Sequence, residues 1–131
     1  MKLYLIRHGR QASKLCNVDV ELCQEGFQQA ALLGQAVQTA QAANLYWNVE
    51  HYMYPELNEI SFGEMEGLSD EEIALRFRDF QQEQAKMEYD IPYPGGESAG
   101  DVVRRVIPVF RQIRESGYEK VAVVTHGGVI R

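Results

Sequence analysis

Cysteine is scarce: the 131 residues contain two, Cys16 and Cys23, and their spacing matches no zinc-binding pair. They read as free thiols in a reducing compartment, which argues against a disulfide-stapled fold. Long apolar runs are also missing. The N-terminal run Leu3-Tyr4-Leu5-Ile6 breaks at Arg7, too short for a signal peptide or a membrane span. Positive charge is in deficit, with a net charge of -6. That balance argues against a general nucleic-acid binder and gives no long-range attraction for anions, so any anion site must be a local cluster. Repeats and low-complexity segments are absent. A chain of this length, 45% apolar and 24% charged, reads as one soluble domain over residues 1–131, cytoplasmic and with a real core.

Two short motifs carry most of the remaining information. Arg7-His8-Gly9 closes the run Leu3-Tyr4-Leu5-Ile6, and Thr125-His126-Gly127-Gly128 closes Val121-Ala122-Val123-Val124. Consecutive apolar residues suit a strand covered on both faces. Glycine after each histidine lets the chain turn sharply and a ligand approach the backbone. Ligands of open parallel sheets bind beyond the carboxyl ends of the strands. Two strand-end histidines on one sheet are therefore expected to face each other across one pocket.

Between the motifs the pattern alternates. A polar loop runs from Arg10 to about Glu21. Leu22 to Val37 reads as a helix, with Phe27, Ala30, Ala31 and Leu33 on one side, continuing to Leu45. Asn48 to Tyr54 is rich in Tyr and Val and reads as β-prone. Pro55 to Gly67 is a loop carrying Glu56, Glu59, Glu64 and Glu66. Ser69 is expected to cap a second helix whose first-turn acids suit its dipole, with Ile73, Phe77 and Phe80 as the inner stripe. Pro92-Tyr93-Pro94-Gly95-Gly96 is a break. Ser98 opens a third helix with Val102, Val103, Val106, Ile107, Phe110 and Ile113 at helical spacing. Pro108 should kink that helix or leave a carbonyl unpaired, and Gly117 ends it. The order β-α-β-α-α-β implies an α/β fold, a three-layer sandwich with helices flanking a mostly parallel sheet.

Leu5-Ile6-Arg7-His8-Gly9, the segment Leu57-Asn58-Glu59-Ile60-Ser61-Phe62-Gly63-Glu64-Met65-Glu66-Gly67, and Thr125-His126-Gly127-Gly128 together resemble the histidine phosphatase superfamily. Gly95-Gly96-Glu97-Ser98, placed before a helix, matches a further segment of it. The resemblance implies a phosphoglycerate mutase-like fold and metal-independent, cofactor-free hydrolysis of a small phosphate monoester. In the family's scheme His8 attacks phosphorus and becomes a phosphohistidine. Arg7 clamps the non-bridging oxygens with its planar fork. Gly9 and Gly127 line the phosphate site, and His126 bonds the same oxygens or positions His8. Glu59 protonates the leaving group and then activates water; the negative charge of a bound phosphoryl group favours its acid form. A mutase of the same fold and a catalytically impaired binding module are the alternatives. A metal site built from His8, His126 and Glu59 is a more remote one.

Two departures from the family accompany the match. The family places a second phosphate-binding arginine after a strand that follows the first helix; here Gln38-Thr39-Ala40 follows Val37 directly, without either. Loss of one charged clamp on a transition state costs about 3 kcal/mol, or ~100-fold in rate. The family also continues beyond Gly128 into a helix and a strand, whereas this sequence ends at Arg131, so apolar sheet surface is expected to be exposed. Of the other polar residues, His51 reads as a surface histidine, and Arg10 and Lys14 as exposed cations or aids to anion binding. Arg104, Arg105, Arg111 and Arg114 read as a solvated helix face. Phe77, Phe80, Met87, Tyr89 and Tyr93 are either helix packing or an apolar lid over the substrate. The oligomeric state is open, a homodimer included.

Overall fold

The computed structural model describes residues 1–8, 14–16 and 36–131, and the side chains of its first helix at 40, 41 and 44–47. Two strands, β1 (Lys2–Arg7) and β2 (Lys120–Thr125), pair in parallel with Lys2 opposite Lys120 and Arg7 opposite Thr125. Helices α1 (Ala36–Trp47), α2 (Asp70–Arg76), α3 (Arg78–Ala85), α4 (Ala99–Glu115), the four-residue turn α5 (Gly127–Ile130) and two short 3-10 turns, Pro55–Leu57 and Gly63–Met65, complete the described elements. This is an α/β architecture with helices flanking a small parallel sheet. Gly9, Arg10, Cys23 and the expected helix stripe from Phe27 to Leu33 lie outside the described residues.

The core forms where α4 meets the segment before Gly63. Ile60, Val102 and Val106 are buried together, with Leu57, Phe62, Tyr93, Phe110 and Val129 packed against them. Capping explains where the helices start. Ser69 accepts from the Glu72 N–H while the Glu72 carboxylate accepts from the Ser69 N–H. Ser98 and Asp101 make the same reciprocal box at α4. Each box satisfies two amide donors that a helix start otherwise leaves unpaired.

Several expectations are corrected. Asn48 to Tyr54 forms no strand and is exposed but for Tyr54, because β propensity is expressed only where a neighbouring strand supplies a ladder. The second helix is two helices meeting at Phe77, whose ψ of 28° departs from the helical value. Helix α4 contains Pro108 as expected, on its exposed side, where a carbonyl that proline leaves without an amide partner can meet water. Its buried stripe is Val102, Val106 and Val109, while Val103 and Ile107 face outward. The inner face is therefore rotated from the one expected. Strand β1, read as covered on both faces, leaves Leu3, Tyr4 and Leu5 between 42% and 51% exposed, and Val123 of β2 is the strand residue in the core. No described helix is long and apolar enough to cross a membrane.

Candidate functional site

Parallel pairing in register brings the two motifs together. Thr125 is the last residue of β2, and its carbonyl accepts the His8 N–H at 3.0 Å, so the ladder extends one step past β1. His8 and His126 thus follow adjacent strand ends, and their rings lie 4.8 Å apart between centroids, tilted by 58°. Burial, and then the neighbouring His8, hold the His126 pKa below its ordinary value. Both causes disfavour the charged form of the His126 ring.

Arg7 lies across the start of α5. A methyl group placed on Gly127 would be 3.3 Å from its Cζ and Nε, so the guanidinium rests over that glycine. Glu59 reaches the same turn from the loop after Leu57. Its Oε1 accepts the Gly128 N–H at 2.9 Å and the Ile60 N–H at 2.8 Å. A side chain at Gly128 would displace Glu59: a Cβ there would stand 2.3 Å from Glu59 Oε1. Thr125, fully buried, donates to the Leu57 carbonyl at 2.7 Å and ties the end of β2 to the loop that carries Glu59. Of the residues expected at the site, Arg7, His8, Glu59, His126 and Gly127 are brought together, and Gly9 lies outside the described residues.

The competing carboxylates have other tasks. Glu66 accepts the Phe62 N–H at 3.0 Å, while Glu56 and Glu64 are exposed. His51 is exposed, as expected, and so is Lys14. Cys16 is a free thiol with its pKa raised by burial first and then by Glu66, and its backbone exchanges bonds with Gly67 and Leu68. Among the described residues no three His, Cys, Asp or Glu side chains group so as to hold a metal ion.

One arginine was misassigned from sequence. Arg104 and Arg114 are solvated, but the Arg105 side chain is only 22% exposed and turns inward. Its Nε and Nη2 fork onto the two oxygens of Glu97 at 2.8 and 2.9 Å, Nη2 also donates to the Glu59 carbonyl at 3.1 Å, and Nη1 donates to the Glu56 carbonyl. The signal was available: position 105 follows Val102 by three and precedes Val109 by four, on the buried face of α4. Phe62 and Phe80 both pack against the Tyr93 ring, with centroids 4.7 and 5.4 Å from it, whereas Met87 and Tyr89 are exposed.

Comparison with known proteins gives the family and the fold. The sequence model of the histidine phosphatase superfamily (branch 1) matches residues 33–131. A 2,3-bisphosphoglycerate-dependent phosphoglycerate mutase of Methylorubrum extorquens is 37% identical over 78 residues, covering 57% of this chain and 37% of that protein. Fructose-2,6-bisphosphatase of Saccharomyces cerevisiae is 30% identical over 149 residues, covering 98% of this chain and 32% of its own length. The chain thus spans about a third of the length of these relatives. A mycobacterial glucosyl-3-phosphoglycerate phosphatase, solved in complex with VO3, superposes with a TM-score of 0.82 at 26% identity, covering 98% of this chain and 77% of that one. The alpha-ribazole phosphatase of Shigella flexneri, at 23% identity and a TM-score of 0.78 over 99% of this chain and 76% of that one, shares the fold. The chain belongs to the histidine phosphatase superfamily.

Proposed function

We propose that this protein hydrolyses small phosphate monoesters through a phosphohistidine formed on His8. The observation that carries the reading is the pair of strand-end imidazoles, His8 and His126, with ring centroids 4.8 Å apart at adjacent ends of parallel strands. A neutral ring is suited to attack a phosphate dianion, which repels anionic nucleophiles. A nitrogen of His8 forms the N–P bond as the ester P–O bond breaks. Glu59 gives its proton to the departing alkoxide. Water then attacks phosphorus, Glu59 takes its proton, and the N–P bond breaks to release inorganic phosphate. Arg7 and His126 hold the phosphoryl oxygens, where charge accumulates in the transition state. The step needs neither a metal nor a cofactor.

The relatives named as mutases support a second reading, in which the phosphoryl group on His8 passes to another hydroxyl instead of to water. The two differ in product. An aryl phosphate incubated with the protein releases inorganic phosphate in the hydrolase reading, and the His8→Ala variant releases none. If phosphate release is negligible while a phosphoglycerate is isomerised, the mutase reading replaces the first.

A further inference from the structure

We propose that Arg105 and Glu97 form a positioning clamp that holds Glu59 at the height of the two strand-end histidines; this rests on the hydrolase reading above. Glu59 is gripped at both ends. Its carboxylate takes the Gly128 N–H at 2.9 Å, and its carbonyl takes Arg105 Nη2 at 3.1 Å. The same guanidinium donates to the Glu56 carbonyl and forks onto Glu97. Glu97 closes the circuit: its Oε2 accepts the Ser61 N–H at 2.9 Å, and its own N–H returns to the Ser61 carbonyl at 2.9 Å. One ion pair therefore fixes the backbone on both sides of the acid/base residue.

Gly96 lets the two segments meet, since a Cβ there would stand 2.3 Å from the Ser61 carbonyl oxygen. A part-buried ion pair is a weak source of stability, because desolvation offsets much of its attraction. A bidentate fork does supply direction, since it fixes both distance and orientation. Proton transfer to a leaving group needs that control, and misplacement by about 1 Å can cost ~100-fold in rate. The positive charge of Arg105 is also felt at His126, where it adds to the lowering of that pKa.

The test separates positioning from general scaffolding by the leaving group. Dinitrophenolate departs without a proton, whereas an alkoxide requires Glu59 to supply one. Glu97→Gln keeps the shape and an acceptor for Ser61 but removes the charge of the fork. Arg105→Lys keeps a charge, loses the fork, and serves if the first variant does not fold. His8 phosphorylation is followed in a single turnover with dinitrophenyl phosphate and with propyl phosphate, using Glu59→Gln as the benchmark. In the clamp variant the propyl phosphate rate falls about 10- to 100-fold while the dinitrophenyl phosphate rate stays within about twofold. An equal loss on both substrates, or no loss on either, in a folded variant overturns the clamp and leaves the hydrolase reading standing. If the parent protein phosphorylates His8 with neither substrate, the hydrolase reading falls and the clamp with it.

Discussion

The Glu59 carboxylate accepts the backbone N–H of Gly128 at 2.9 Å. The turn that follows His126 therefore sets the position of a carboxylate distant in sequence. Strand end, glycine turn and acidic loop form one assembly, and a change in any of them should be felt by the others.

Gly128→Ala tests that coupling. The added Cβ would stand 2.3 Å from Glu59 Oε1 and 2.6 Å from Ile60 Cγ2. Overpacking of this kind costs about 1–3 kcal/mol of stability, and displacement of Glu59 should lower turnover by ~100-fold. Gly127→Ala meets the Arg7 side chain first, at the looser distance of 3.3 Å, so its effect should be smaller. Thermal melts and aryl phosphate turnover on both variants check the order.

Thr125→Val keeps the shape of a buried residue but removes the donor to the Leu57 carbonyl. That carbonyl would lose its partner, at a cost of about 1–3 kcal/mol in urea unfolding. Activity should fall as well, because the loop bearing Glu59 loses one of its ties to β2.

Acid should destabilise the protein in two stages. The His126 pKa is lowered from 6.5, chiefly by burial, so the unfolded chain takes up that proton more readily than the folded one. This favours unfolding as the pH drops below 6.5. Glu97, lowered from 4.5 chiefly by its hydrogen bonds with Arg105, contributes stability that is present above 4.5 and lost as the pH falls through its folded value. In both cases the unfolded state binds more protons, so stability rises with pH. The melting midpoint should decline from pH 7 to 5 and again below 4.5. His126→Asn should flatten the first decline, and Glu97→Gln should lessen the second, which Glu72, Asp90 and Asp101 share because their pKa values are also lowered by hydrogen bonds.

Metal removal should leave turnover unchanged. A chelator abolishes activity only if His8, His126 and Glu59 bind an ion, and the phosphohistidine route requires none. Activity measured before and after exhaustive dialysis against EDTA separates the two.

The two strands and the placement of His8 and His126 were legible in sequence because apolar runs ending in His-Gly have few other readings. Ser69 was legible as a helix start from the acids that follow it, and Ser98 from the helical spacing after it; the reciprocal boxes with Glu72 and Asp101 are what the structure adds. The segment from Asn48 to Tyr54 was misread, since strand formation depends on a partner that local composition does not reveal. The break at Phe77 has no proline or glycine to mark it. Arg105 was read by its charge and not by its position, although Val102 and Val109 place it on the buried face. Its roles toward Glu97 and the Glu59 carbonyl depend on contacts between segments far apart in the chain, which spacing alone does not encode.

The central claim is that His8 carries the phosphoryl group, and the most direct measurement is to trap it. The protein is mixed briefly with dinitrophenyl phosphate, quenched in alkali, digested and mapped by mass spectrometry. The account predicts one acid-labile, alkali-stable phosphoryl group on His8, and none in His8→Ala. An active protein with no phosphorylated His8, or a His8→Ala variant that retains most of the turnover, would contradict it.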